Sequence, residues 1–401
     1  MRISTENILD SFTKLQKMFF FLGAPNNSML YISLVLIGIL LIILAIIFKL
    51  FFSNNKNISQ KLINDKRSLS KTQNKINKFI DLHLHLDGAI TVDIAKKLAA
   101  LQNIKLPTND DKELETLLTV KKDCRNLDDF LKCFALPVSL LQTREGIREA
   151  IKLVSENIQK QGVIYAEFRF APQLFTKKGL RQEQVIKAAL DGIQNASLKV
   201  NLILCFIRGK KNKAKNLQTL KLAKKYITKD GGVVALDIAG SEKSFPNPNF
   251  KDLFLDAKEY GIPFTIHAGE AAGAESVRQA IEFGASRIGH GVRACEDLEV
   301  VQLLKDKEIP LEVCPTSNFQ TCAFDDMSKY PFLDFLQKGL KVTLNTDDMG
   351  IEGTYLAKEF ENMEKRYNLA YEQKKTILLN SVNAAFTTDE VKAKLREELG
   401  F

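Results

Sequence analysis

Beyond residue 78 the chain alternates between two hydrophobic periods. Short runs rich in β-branched and aromatic residues recur at Phe79–Leu86, Val163–Phe170, Asn201–Ile207, Val233–Ile238, Pro263–His267, Ser286–His290, Leu311–Cys314 and Lys341–Asn345. Each predicts a strand. Between them lie stretches with the apolar spacing of amphipathic helices, among them Glu145–Gln161, Gln182–Ala196 and Asn216–Ile227. Eight strand–helix units in residues 79–401 predict parallel β-α units and an α/β fold, a (β/α)8 TIM barrel. The runner-up, an open doubly wound sheet, usually has fewer strands and a Gly-rich phosphate turn after the first. Here the first strand ends instead in His83, His85 and Asp87. The stretch Thr91–Ser155 between the first two strands, including DDFLKCFAL (Asp128–Leu136), holds more helix than a crossover requires. It is expected to fold over the barrel mouth as a lid.

A different pattern precedes the barrel. Met29–Phe48 is a twenty-residue run without a charge, which at 1.5 Å per residue is long enough to span a bilayer core. The formal net charge of +9 divides unevenly: +1 over residues 1–48, +7 over 49–78 and +1 over 79–401. The large domain is therefore nearly neutral and has no electrostatic reason to bind nucleic acid. Basic residues on the C-terminal flank of the apolar run place residues 49–401 in the cytoplasm by the positive-inside rule. Six cysteines without a C-x-x-C pair agree with a reducing compartment. The expected organisation is an N-terminal segment (1–28), a transmembrane helix (29–52), a basic flexible linker (53–78) and a barrel (79–401). The expected location is a single-pass membrane anchor with the catalytic domain facing the cytoplasm.

Nearly every predicted strand ends in residues able to do chemistry: HLHLDG, EFRFAP, DIAG, HAGE, GHG, CPTSN and NTDD. In a barrel those ends converge on one mouth, where active sites form. The period of two puts Asp81, His83, His85 and Asp87 on one face of the first strand, and two imidazoles at i, i+2 have the spacing for two ligands on one metal. His267 ends another strand with Glu270 three residues on, and His290 stands in an equivalent place one unit later. Asp347 and Asp348 end the eighth strand. All four histidines of the chain thus stand at predicted strand ends. That joint placement predicts a metal site with an Asp ligand. The G-x-G-x-x-A spacing of Gly289, Gly291 and Ala294 carries no dinucleotide reading, because it sits late in the chain and a His occupies the turn.

The ordered series HLHLDG, YAEFRFAPQ, LDIAG, HAGE, RIGHGV, CPTSN and LNTDD over residues 79–350 resembles the adenosine deaminase family. The resemblance implies a (β/α)8 barrel with one Zn2+ and hydrolysis of the 6-amino group of adenosine or 2′-deoxyadenosine, with a water activated at the zinc attacking purine C6. By the same resemblance His83, His85, His267 and Asp347 look like the zinc ligands. Glu270 looks like the acid that protonates purine N1, and His290 like the residue that orients or deprotonates the attacking water. Asp348 looks like the partner of N7, the Gly240 backbone like a donor to N3, and Asp87 like a ribose contact. The zinc deaminases that pair H-x-E with P-C-x-x-C use a pattern absent here. Lys243 lies too far into its loop to bridge a second metal, which favours one. The open alternatives are a deaminase of adenine, an N6-modified adenosine or an adenine nucleotide, and a membrane-tethered nucleoside-binding protein without turnover.

Overall fold

The computed structural model describes residues 76–401 except 122, 123, 125, 126 and 325, together with 13, 14, 17, 35, 37–40, 43 and 44. The chain divides into two units, Met1–Lys75 and Ile76–Phe401. In the first unit the described residues are all helical.

Ile76–Phe401 carries eight parallel strands: β1 (Phe79–His85), β2 (Val163–Phe170), β3 (Lys199–Ile207), β4 (Val233–Ala239), β5 (Thr265–Ala268), β6 (Arg287–His290), β7 (Leu311–Val313) and β8 (Val342–Leu344). They pair in chain order as β1-β2-β3-β4 and β5-β6-β7-β8. Two parallel bridges join the halves, Leu236↔Phe264 between β4 and the start of β5, and Leu84↔Asp347 between β1 and the end of β8. The ring is thereby closed, as the eight-unit pattern predicts.

Alternation decides which side chains face which way. Ile80 and Leu82 of β1 pack outward with Val382 and Leu395 of the C-terminal helices Tyr371–Ala384 and Asp389–Leu399. The intervening positions point inward, and there the barrel is charged rather than branched-apolar. Arg169, Glu167, Asp237, Arg287 and Glu312 are all buried and joined by ion pairs of 2.5–2.8 Å. At the far end, the Phe386 N–H donates to Glu167 at 2.6 Å and the Arg287 guanidinium lies 3.8 Å from the Phe386 ring, plugging the barrel.

The insert between β1 and β2 is helical, as expected, and the segment around Asp128–Leu136 is built of short pieces. It comprises a helix Leu127–Phe130, a 3-10 turn Leu131–Phe134 and a helix Ala135–Leu140. Pro137 has no N–H to offer the Cys133 carbonyl, so the turn before it cannot continue as regular α-helix. The helix Arg144–Lys160 begins at Thr143, whose hydroxyl accepts from the Gly146 N–H at 3.0 Å.

The expected transmembrane helix over 29–52 requires correction. Among the described residues no helix is long and apolar enough to cross a membrane, a span that takes about 20 apolar residues in one helix. Most of the run lies outside the described residues; Val35, Ile37–Leu40, Ile43 and Leu44 are described. The membrane anchor, and with it the single-pass location facing the cytoplasm, is not retained.

Candidate metal centre and active site

Four donor side chains meet at the mouth. His83 and His85 come from β1 and His267 from β5, while Asp347 lies just beyond β8. Asp347 is stitched to the strand that supplies two of the histidines: its N–H donates to the His83 carbonyl at 2.7 Å, and its carbonyl accepts from the His85 N–H at 2.8 Å. Asp347 has φ 67° and His290 φ 62°, left-handed backbone that residues with a side chain adopt rarely and chiefly where surrounding structure enforces it.

The spacing of the donor atoms is that of a coordination shell. His83 Nε2 and His267 Nε2 are 3.1 Å apart, and His85 Nε2 and His267 Nε2 are 3.3 Å apart. Asp347 Oδ1 lies 3.2 Å from His83 Nε2 and 3.4 Å from His85 Nε2. A tetrahedral ion with ligands at about 2.0–2.1 Å would have edges of about 3.3–3.4 Å. The four residues therefore fit one divalent ion, and three imidazole nitrogens with a carboxylate oxygen suit a borderline transition metal better than Ca2+ or Mg2+.

Carboxylates stand behind two of these rings. His83 Nδ1 is 2.8 Å from Glu312 Oε2, and His267 Nδ1 is 2.8 Å from Asp237 Oδ2, though off the line of a good hydrogen bond. Such partners fix the ring and its tautomer. Arg169 ties both carboxylates together, donating to Asp237 at 2.7 Å and to Glu312 at 2.8 Å. Burial pushes both acids up, but charge interactions outweigh it, with His267 and Arg169 for Asp237 and with Arg169 and Arg287 for Glu312, and hold each below the usual range.

A cavity of about 230 Å³ opens over this centre. It is lined by His85, Asp87, Gly240, His267, Glu270, His290, Asp347 and Asp348, while His83 lies behind them, fully buried. All nine residues singled out from the sequence are thus gathered at one place. Leu127, Phe130, Leu131 and Phe134 of the insert supply an apolar wall. Among the described residues no Lys or Arg lines the cavity.

The acids here are shifted in a useful direction. Burial, with the charges of Asp347 and Glu242 adding to it, pushes the Glu270 carboxyl up to about 8. Burial alone lifts Asp87 to about 7. Asp348 is raised well above the usual range by burial and by the charges of Asp347 and Asp87. Protonated carboxyls can donate, which ionised ones cannot. Burial moves His290 the other way, well below the ordinary histidine value, so it is a neutral ring. Its Nε2 lies 3.7 Å from Glu270 and 3.6 Å from Asp347, with no hydrogen-bond partner among the described residues. The ring is held at Nδ1 by Asn318, 3.0 Å away, whose oxygen accepts from the Tyr330 hydroxyl at 2.8 Å.

Sequence reasoning missed Arg169, Glu312, Asn318 and Tyr330. Glu167 and Arg169, opposite charges two apart on a buried strand, were a readable signal. Nothing local marked Tyr330.

The family model described as adenosine deaminase matches residues 79–400. An adenosine deaminase of Haemophilus ducreyi is 45% identical over 322 residues, which is 79% of this chain and 94% of that protein. An adenosine deaminase of Clostridium botulinum is 42% identical over 323 residues, 79% of this chain and 97% of that protein. The solved adenine deaminase of Arthrobacter aurescens superposes with TM-score 0.73 at 27% identity, covering 81% of this chain and 98% of that one.

Proposed function

The chain belongs to the adenosine deaminase family and is a hydrolase, and from that premise we propose that it converts adenosine and 2′-deoxyadenosine with water to inosine and 2′-deoxyinosine, releasing ammonia. The observation that carries this reading is a four-donor metal centre sharing one cavity with a carboxyl held up to about 8, Glu270.

His83, His85, His267 and Asp347 would hold one Zn2+. The ion supplies the Lewis acidity that makes water a nucleophile at neutral pH. The remaining work falls to the chain's own side chains. Addition at purine C6 pushes electrons onto N1, so a neutral Glu270 serves by delivering a proton there. His290, neutral and fixed at Nδ1, presents Nε2 to the attacking water between Glu270 and Asp347. Asp348, protonated by its surroundings, donates to N7, and the Gly240 backbone faces N3. Asp87, also on the cavity wall, takes a ribose hydroxyl. The apolar wall from Leu127 to Phe134 covers the base and excludes bulk water.

Among the described residues no Lys or Arg lines the cavity, which favours a nucleoside over a nucleotide, and Asp87 favours a nucleoside over free adenine. A panel of adenosine, 2′-deoxyadenosine, adenine, N6-methyladenosine and AMP, assayed for release of ammonia or methylamine by the zinc-loaded full chain, tests this. Adenosine and 2′-deoxyadenosine should be turned over with the highest kcat/KM; adenine or AMP as the best substrate would refute the proposed specificity.

A further inference from the structure

Glu242 is not a cavity residue, yet its carboxylate is buried and collects five donors. Oε1 accepts from the Gly269 N–H at 2.8 Å and from the Ser276 hydroxyl at 2.5 Å. Oε2 accepts from the N–H groups of Glu270, Ala271 and Ala272 at 3.2, 2.8 and 2.9 Å. Four consecutive backbone donors turned toward one carboxylate make a concave nest, the arrangement that holds anions elsewhere. Here the anion belongs to the protein.

The segment so held is the one that carries Glu270. It leaves β5 at Ala268, turns at Gly269 with φ 69° and reaches the helix Ala274–Phe283. Nothing in that stretch is regular secondary structure, so its shape depends on where its N–H groups are satisfied. Glu242 satisfies all four. It lies two residues after Gly240, whose backbone faces the same cavity, so one side chain couples the loop after β4 to the loop after β5. The clamp is anchored at its rim. Asn247 donates to the Ser276 hydroxyl at 2.9 Å, and Arg208 donates to Asn247 at 2.7 Å and to the His267 carbonyl at 2.7 Å.

We propose that Glu242 is a positioning residue for Glu270: its carboxylate fixes the turn 269–272 so that the Glu270 carboxyl points into the cavity at the purine's N1. This rests on the proton-donor role argued above for Glu270. The role is read from the geometry of these hydrogen bonds; the charge of Glu242 also adds to the upward shift of Glu270, behind burial and Asp347. An amide at position 242 would set an NH2 group against backbone N–H donors, and the turn would open.

The test compares Glu242→Gln, Glu270→Gln and the double variant in the zinc-loaded full chain with adenosine. Displacing a reacting group by about 1 Å costs on the order of 100-fold, so E242Q should lower kcat about 10- to 100-fold. KM should stay within about twofold, because the base still meets the other walls of the cavity. In the E270Q background the same change should cost nothing further, since there is no proton left to aim. If E242Q fails to fold, Ser276→Ala removes one of the five donors, and kcat should fall about two- to fivefold with KM unchanged. Parental kcat in E242Q (or in S276A, should it stand in), or an equal loss from E242Q with and without Glu270, would overturn the positioning role. Parental kcat in E270Q would instead overturn the proton-donor reading beneath it.

Discussion

Replacing Gly88 by alanine should disable the site without replacing a residue that does chemistry. Gly88 follows β1, and its carbonyl accepts from the N–H groups of Gly350 and Ile351 at 2.9 and 3.2 Å. A Cβ built there would lie 1.7 Å from Asp348 Oδ1, 2.6 Å from its Cγ and 2.8 Å from its Cβ. To reach ordinary contact at 3.4 Å the carboxylate oxygen must retreat by about 1.7 Å. Rotating the side chain cannot provide all of this, because the Asp348 Cβ is itself too close. The main chain at 347–348 must move as well, and Asp347 sits there with its oxygen 3.2 and 3.4 Å from two histidines. A displacement near 1 Å costs on the order of 100-fold in rate. Gly88→Ala should therefore lower kcat/KM for adenosine at least about 100-fold and weaken metal retention, at a stability cost of about 1–3 kcal/mol from overpacking. Initial rates of ammonia release, metal per chain by atomic absorption and a thermal melt read the three effects. A folded G88A protein with stoichiometric metal and kcat/KM within about threefold of the parent would refute the reasoning.

The other expectations rest on single groups. Glu270→Gln should keep the metal and the fold but lose about 10²- to 10⁴-fold in turnover, since an amide cannot deliver a proton; near-parental turnover would remove Glu270 from its role. His267→Ala deletes one of four donors and should release the ion, so stoichiometric metal in that variant would mean the centre is wrongly placed. In the metal-stripped protein the buried carboxyls of Glu270 and Asp87 should contribute stability that is lost as pH rises. Glu270 is raised from 4.5 to about 8 and Asp87 from 3.8 to about 7, so the folded state keeps protons that the unfolded chain has released. Their contribution is complete below about pH 4 and is lost as pH climbs to about 8, on the order of 5 kcal/mol for Glu270. Removing the Glu270 contribution should make the pH slope of the melting temperature more positive in Glu270→Gln than in the parent, the opposite pull of the neutral His290 being common to both; equal slopes would contradict the Glu270 shift. Turnover should likewise fall as pH passes the value at which Glu270 ionises.

Periodicity made the barrel legible, because each strand had to be apolar on its outer face and each helix on one stripe. β2 runs over Val163–Phe170 as its pattern predicts. The later strands are shorter than their apolar runs, since β7 pairs only over Leu311–Val313 before Cys314 turns into the mouth. The nine candidate site residues converge because strand ends in a closed ring have nowhere else to go. Less legible was the barrel interior, where Arg169, Asp237 and Glu312 form a buried ionic tie between two histidines. Charges within strands ordinarily argue for solvent, and only three-dimensional pairing shows otherwise. The apolar run Met29–Phe48 was read as a span from its length and hydropathy, with the basic flank in agreement, yet among the described residues no helix is long and apolar enough to cross a membrane.

The proposed reaction is deamination of adenosine in this cavity with the help of an ion that His83, His85, His267 and Asp347 would hold. Its most direct test is ammonia release from adenosine by the full chain as purified, after chelation, and after zinc is restored. Release that is lost on chelation and regained with one zinc per chain is the result predicted; no release from the zinc-loaded protein, or release unchanged by complete removal of metal, would contradict it.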